Sequence, residues 1–485
     1  MTTEHSLLSK QADWLKDYRF TPRLVERGTV QAVGDGVLWI SGLPSARNEE
    51  LVQTADGSLA LTYILSQDRI GAIILEETPN LCAGMDVNLT GRRLTLPTGD
   101  DYLGRIVDPL GRPLDDGAPI EGEDIRFLDH LSPQITARDS VHEPLYSGNR
   151  VIDTMIPVGF GQRQLLIGDN GTGKTTLALD TLLNQKDKDT LCIYVLIGQR
   201  RSAIAALTET LQGAGALDYT VVMVAEATAM PGLQYLAPFA GCTLAEHWME
   251  SGKQVLIVYD DLSTHAQIYR ELSLLLRRPP GREAYPGDIF YLHARLLERS
   301  TCLSPEKGGG SMSAFALVET QQDEISAYIP TNLISITDGQ IYFDQKLFAA
   351  GILPAIDITR SVSRIGGAAQ HPAIKKEAAR MKLEYLQFLE LEVFSHFGAK
   401  LEEGIQLRLT KGRLLRSILK QDMGSPFSPR AQLAWMIAFN ENLFAGLEDA
   451  AVKSRLNKIA DIADRTVLGL DDPRDQWGDV LRGIL

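Results

Sequence analysis

Cysteine is scarce: the 485 residues hold four, Cys82, Cys192, Cys242 and Cys302. They lie far apart with no CxxC pair, which excludes a disulfide framework and a cysteine-built zinc site and fits a reducing compartment. The eight histidines are scattered without ligand spacing. No apolar run approaches the roughly 20 residues of a bilayer span. The start, Met1-Thr2-Thr3-Glu4-His5-Ser6, lacks both the basic and the apolar region of a secretory leader. A role at a membrane therefore requires other subunits to hold the chain there. Positive charge is also short, with 48 Lys and Arg against 62 Asp and Glu and a formal charge of −14. Phosphate contacts need a basic surface, so this balance weighs against a general nucleic-acid binder and leaves room only for a local patch. No low-complexity linker and no long internal repeat interrupts the chain.

What is present is ordinary globular composition, 44% hydrophobic and 23% charged, in a chain long enough for roughly two to four cores. Residues 1–22 read as a polar lead with some helical pattern, including Leu7, Leu8 and Trp14. Residues 23–94 change to short strands: Gly28 to Val33, Gly36 to Ile40, Leu59 to Ile64 and Gly71 to Leu75, punctuated by Gly34-Asp35-Gly36 and Asp56-Gly57 turns. Short strands at that spacing predict a small β-barrel or sandwich. Residues 95–370 alternate strand and helix, the pattern of a mostly parallel sheet with helices on both faces. The predicted strands are Gln164 to Ile167, Cys192 to Ile197, Thr220 to Val224, Val255 to Tyr259 and Leu333 to Ile336, whose unbroken apolar character suits strands covered on both sides. Residues 371–485 read as a helical bundle, with Leu386, Leu389, Val393 and Phe397 as its stripe and Glu384 and Glu392 off it.

Chemistry concentrates at Gly168-Asp169-Asn170-Gly171-Thr172-Gly173-Lys174-Thr175, directly after the apolar Gln164-Leu165-Leu166-Ile167 and before the helix-prone Thr176-Leu177-Ala178-Leu179. This is the GxxxxGK[ST] pattern in the strand–loop–helix context it requires, so an accidental Gly-rich turn is a poor rival. Glycines let backbone N–H groups face phosphate oxygens, Lys174 reaches the β- and γ-phosphates, and the Thr175 hydroxyl ligates Mg²⁺. Tyr259-Asp260-Asp261 ends an apolar strand. One of these carboxylates would hold Mg²⁺ directly or through water, with Asp260 favoured because it follows the strand at once. The competing reading is an acid pair capping the next helix.

Ile197-Gly198-Gln199-Arg200-Arg201 ends the neighbouring strand. A carboxylate there would act as a base worth roughly 10²–10⁴-fold. Gln199 can orient a water but cannot take its proton, which predicts binding with poor hydrolysis, although Ras-like chemistry also uses a Gln. Arg364, in Ser361-Val362-Ser363-Arg364-Ile365-Gly366-Gly367, reads either as an internal ion-pair partner or as an arginine finger aimed at a neighbour's γ-phosphate.

With those motifs, the stretches Tyr235 to Cys242, Ile257 to Ser263, Arg277 to Asp288, Tyr328 to Asn332 and Ser361 to Gln370 resemble the alpha subunit of F-type ATP synthases, over roughly Gly28 to Ser428. The resemblance implies a multidomain α/β protein with an N-terminal β-barrel, a RecA-like P-loop domain and a C-terminal helical bundle. It implies ATP or ADP with Mg²⁺ as ligands, held by 168–175, Thr176 and Gln421, with Thr175 and Asp260 on the metal. The partners it implies are three catalytic beta subunits alternating with three alpha subunits around a gamma stalk, with peripheral stalk subunits alongside. The place it implies is the cytoplasmic face of a bacterial or archaeal membrane. Gln199 falls where the catalytic beta subunit carries its glutamate, Arg364 falls on the family's arginine finger, and Pro279 to Asp288 resembles the sleeve around the stalk.

Departures from the family accompany the matches. Gly171 replaces a phosphate-contacting Gln, Leu353 replaces an Arg near the adenine pocket, Met423 replaces a second Gln after Gln421, and both termini read as short. Three lost polar contacts predict looser nucleotide retention and point to a divergent branch, of the kind formed by alternative F-type ATPases that pump sodium. Two other classes share parts of the pattern. An export-motor ATPase would need Glu at position 199, and a Rho-type RNA translocase would need a basic RNA-facing surface.

Overall fold

The computed structural model describes residues 26–395 and 403–484. The predicted lead with Leu7, Leu8 and Trp14, and Phe397 of the predicted stripe, lie outside them. The chain forms two compact units, Met1–Arg93 and Leu94–Leu485.

Within the first, strands β1 (Arg27–Gly34), β2 (Val37–Ser41), β3 (Glu50–Thr54), β4 (Leu59–Leu65), β5 (Ile70–Glu76) and β6 (Asp86–Arg93) close a barrel in the order β1-β2-β5-β4-β3-β6. Closure leaves no strand edge to pair with another chain. The turn from β1 to β2 is Asp35-Gly36, with φ of 51° and 82°. That is the two-residue, doubly positive turn whose twist matches antiparallel strands. Val30, Leu38, Ile40, Val52, Ile70, Ala72, Ile74 and Val87 fill the interior.

The second unit adds a small antiparallel ribbon, β7 (Thr95–Thr98) with β9 (Asp124–Phe127), and an eight-stranded sheet. The sheet strands are β8 (Ile106–Val107), β10 (Arg163–Asp169), β11 (Thr190–Gln199), β12 (Thr220–Glu226), β13 (Gln254–Asp260), β14 (Ser311–Thr320), β15 (Gly339–Phe343) and β16 (Val362–Ser363). Their order is β16-β15-β10-β14-β13-β11-β12-β8. Every pairing is parallel except β15 with β16. Strand order turns back around β10 and β13, and the crevice at the carboxyl ends of such strands is where ligands bind.

Two expectations are corrected here. Leu333 to Ile336 is not a strand but the end of helix Tyr328–Ile336. Ile329, Leu333 and Ile336 are buried at i, i+4 and i+7, and a short apolar run cannot by itself show which period it obeys. The sequence reading missed both neighbours of β10: β14, which pairs with β10 and β13, and β15, which pairs with β10 on its other side; it also named neither β8 nor β16.

Among the described residues, five helices, Pro372–Ser395, Glu403–Leu419, Pro429–Asn440, Asp449–Arg465 and Arg474–Ile484, make up the C-terminal part. Helix Pro429–Asn440 is buried from Ala431 to Phe439 and packs against Pro372–Ser395, Asp449–Arg465 and Arg474–Ile484, while Glu403–Leu419 packs on Pro372–Ser395 and Asp449–Arg465. The stripe of helix Pro372–Ser395 is rotated from the predicted one. Ile374, Ala378, Met381, Tyr385 and Phe388 are buried, Leu386 and Leu389 only flank the core, and Val393 is exposed. Larger aromatic area wins the inward face. Glu392 instead meets Arg416 of the next helix in a bidentate ion pair. Trp477 is fully buried and donates its indole N–H to Gly469 O at 3.0 Å, which seats the last helix.

Candidate nucleotide site

β10 is buried from Gln164 to Gly168 and delivers the 168–175 loop to the carboxyl edge of the sheet. Gly168 is required by space: a Cβ there would stand 2.5 Å from Phe343 O. Gly173 is required by conformation, with φ 104° immediately before helix Lys174–Leu183. Gly171 has φ 75° and nothing within 4 Å of where a Cβ would lie, so it contributes backbone freedom alone. Asn170 and Gly171 form the exposed tip. The first intrahelical bond runs from Leu177 N–H to Gly173 O. The amides of Lys174, Thr175 and Thr176 precede it and form the anion-binding end of the helix.

Lys174 is buried, and its ammonium donates to Gly168 O and Asp169 O, each at 2.7 Å. Burial pulls its pKa down, against the opposing charges of Glu319, Asp261, Asp260 and Asp169. Thr172 Oγ1 donates to Asp169 O at 2.7 Å, so the loop is held in shape by its own hydroxyl and ammonium.

Asp260 and Asp261 turn to different partners. Asp260 Oδ2 accepts from Thr175 Oγ1 at 3.1 Å and from Tyr194 OH at 2.8 Å. Asp261 turns the other way and caps helix Leu262–Leu275, accepting from Thr264 N at 2.6 Å and Thr264 Oγ1 at 3.0 Å. Burial raises the pKa of both acids. A hydroxyl and a carboxylate side by side are the oxygen donors that Mg²⁺ takes alongside phosphate oxygens and water. Thr175 and Asp260 therefore fit that ion.

Gln199 ends β11, in register with Glu226 of β12. It is half-buried, and its side-chain amide makes no hydrogen bond among the described residues. Glu226 beside it is engaged by Arg201 at 2.7 Å.

Arg364 stands elsewhere. Ser363 of β16 is level with Gly339 of β15, which is level with Gln164 at the amino-terminal end of β10. Arg364 is exposed, and its guanidinium donates to Ile334 O at 3.0 Å. No carboxylate pairs with it among the described residues, so they give the internal ion-pair reading no support.

Gln421 is occupied by the backbone around it. Its Oε1 accepts from Arg150 N at 2.9 Å, and its Nε2 donates to Gly148 O at 2.9 Å and Ser425 O at 2.7 Å. Gln421 N also donates to Leu353 O at 2.9 Å, and Gly424 N to Asp180 Oδ1 at 3.1 Å on the far end of the P-loop helix. Leu353 and Met423 are exposed in the same neighbourhood. The amide that the sequence put forward as a base contact thus has both N–H groups spent.

Two family models match the chain: the nucleotide-binding domain of the ATP synthase alpha/beta family over residues 148–363 and the C-terminal domain of the ATP synthase alpha/beta chain over 370–467. The chain is 56% identical over 473 residues to ATP synthase subunit alpha 1 of Legionella pneumophila strain Paris, covering 97% of this chain and 96% of that one. It is 57% identical to the subunit of the same name from Hahella chejuensis, covering 99% and 97%. To ATP synthase subunit alpha 2 of Syntrophotalea carbinolica it is 46% identical, covering 93% and 88%. The chain belongs to the ATP synthase alpha-subunit family.

Two features of this alpha subunit's site escaped the sequence reading. Tyr194 is one; nothing in an apolar strand signals that its hydroxyl reaches Asp260 across the sheet. Glu319 is the other, level with Gly168 at the end of the unpredicted strand β14. The alpha subunit also carries the 279–288 loop on a rigid base: Arg278 meets Asp288 Oδ2 at 2.7 Å and Tyr269 OH at 2.8 Å, and Tyr269 OH donates to the same carboxylate. No helix among the described residues is long and apolar enough to cross a membrane.

Proposed function

We propose that this alpha subunit binds Mg-ATP without turning it over and lends Arg364 to the catalytic site of an adjacent beta subunit in an alternating ring. Gamma and the peripheral stalk complete the assembly, and the complex couples ATP synthesis or hydrolysis to proton or sodium transport. The observation that carries the reading is the separation of parts: Lys174, Thr175 and Asp260 converge at one edge of the sheet, while Arg364 is exposed at the level of the other edge. Residues 168–175 and the amides of the first helical turn would hold the phosphates, with Thr175 and Asp260 on Mg²⁺. That ion neutralises phosphate charge when bound. Gln199 orients water without accepting its proton, so the site leaves its nucleotide unhydrolysed. Leu353 and Met423 offer apolar rather than polar contact on the base side, which favours exchange over tight retention.

Full-length chain, purified alone, is expected to bind Mg-ATP in isothermal titration and to show no turnover above background in a phosphate-release assay. Robust hydrolysis by the isolated chain would overturn the proposal in favour of a self-sufficient ATPase. Salt-sensitive RNA retention on filters would favour a translocase instead.

A further inference from the structure

Asp169 faces two ways. Its carbonyl accepts Lys174 Nζ and Thr172 Oγ1 inside the phosphate-binding loop. Its carboxylate points outward, where Oδ1 accepts from Thr320 Oγ1 at 2.6 Å and the Asp323 N–H lies 3.1 and 3.2 Å from the two oxygens. The turn so gripped is strained, because Gln322 and Asp323 are non-glycine residues with φ of 54° and 60°. Such conformations persist only where surrounding contacts impose them. Beyond the turn the chain reaches Ser326 and Tyr328, which the 279–288 loop holds. Arg282 donates to Ser326 O at 3.3 Å, Glu283 Oε1 accepts from Tyr328 N at 3.2 Å, and the Arg282 guanidinium lies 5.2 Å from the centre of the Tyr328 ring. Glu283 and Ala284 carry positive φ of 51° and 61° in their turn. A cavity of about 320 Å³, lined by Glu319, Gln321, Glu324, Glu283 and Tyr285 among others, lies between the two segments.

We propose that Asp169 is a positioning residue that couples the phosphate-binding loop to the 279–288 loop through the turn at 321–323. When phosphate draws Lys174 off the Asp169 carbonyl, the residue's backbone and carboxylate shift together. The turn follows through Thr320 and Asp323, and the 279–288 loop follows through Ser326 and Tyr328. Occupancy of a site that does no chemistry is thereby transmitted to the segment that, on the alpha-subunit resemblance, faces the stalk. The inference rests on the nucleotide-binding reading above.

Hydrogen–deuterium exchange on the full-length chain, with and without Mg-ATP, tests it. In the wild type, Mg-ATP is expected to slow amide exchange severalfold in 321–328 and in 279–288 together. Thr320→Val removes the hydroxyl that holds the Asp169 carboxylate while leaving every residue of the phosphate loop in place. It should leave Mg-ATP bound, as followed by displacement of a fluorescent ATP analogue, while abolishing the response of 279–288. Asp169→Ala should likewise abolish the response of 279–288, and, because it lies in the phosphate loop, should also release nucleotide about tenfold faster, the size of one modest charge-assisted hydrogen bond. Asp169→Asn keeps an acceptor oxygen and should restore the response. A 279–288 response that survives in both Thr320→Val and Asp169→Ala overturns the inference. A wild type that binds Mg-ATP with no response in 279–288 also overturns it and leaves the binding site standing. A wild type that binds no Mg-ATP removes the nucleotide-site reading itself.

Discussion

Replacing Arg364 separates two catalytic geometries by orders of magnitude. In its own chain, Arg364 follows Ser363, which is level with Gln164 and therefore four residues below Gly168 on β10 and two strands across. At about 3.3 Å per residue and 4.8 Å per strand, the backbone positions lie roughly 16 Å apart. The guanidinium is turned onto Ile334 O. A unit charge at that distance acts on another with about 0.3 kcal/mol in water, and a Debye length of about 8 Å reduces this further. Arg364→Lys or Arg364→Ala should therefore change Mg-ATP affinity at this chain's own site by less than about twofold. If the guanidinium instead meets the γ-phosphate of an adjacent subunit, its loss costs about 10³–10⁵ in turnover. Lys should rescue little, because it lacks the planar fork that engages two oxygens at once. The assay pairs isothermal titration on the isolated chain with ATPase turnover of the reconstituted complex, after gel filtration confirms assembly. A complex that turns over normally with Arg364→Ala, or an isolated chain whose affinity falls tenfold, refutes the reasoning.

Gly168→Ala places a methyl 2.5 Å from an immobile backbone oxygen, Phe343 O, so a loss of about 1–3 kcal/mol in urea unfolding and a marked fall in Mg-ATP affinity are expected. Asp260→Asn should strip the Mg²⁺ dependence from nucleotide binding, whereas Asp261→Ala should cost about 1 kcal/mol of stability through the lost helix cap and leave that dependence in place; titration with and without EDTA distinguishes them. His265 and His293 face each other at 3.4 Å, fully buried, and burial lowers them from 6.5 to about 4 and about 3, with His265 adding to the effect on His293. The unfolded chain then binds more protons, so the stability they contribute is present above pH 6.5 and is lost as pH falls toward 4. At pH 5 the pair should cost about 4 kcal/mol relative to pH 7. His293→Phe should halve that slope in urea midpoints, and a pH-independent midpoint in the wild type would contradict the assignment.

Much of this arrangement was legible in the residues themselves. Four of the six barrel strands followed from short segments punctuated by Gly34-Asp35-Gly36 and Asp56-Gly57 turns, while β3 and β6 were not read. The phosphate loop followed from glycines whose spacing matches an anion cradle. Legibility failed where one apolar run suits two periods. Leu333 to Ile336 read as a strand yet closes a helix, and the buried face of helix Pro372–Ser395 lies on Tyr385 and Phe388 rather than on Leu386 and Val393. Gln421 was reached only through the family resemblance, and nothing in its residue type signals that its amide meets Arg150, Gly148 and Ser425.

Local sequence determined which segments bend, which bury and which can cradle phosphate, because propensity, period and glycine freedom act over a few residues. Tertiary structure alone decided which acid meets Thr175 and which caps a helix. It brought Tyr194 to Asp260 from 66 residues away, and it set Arg364 beside the amino-terminal end of β10, at the edge opposite the 168–175 loop. Those facts depend on strand order and register, which bring distant residues level with one another, and no short window of sequence contains either.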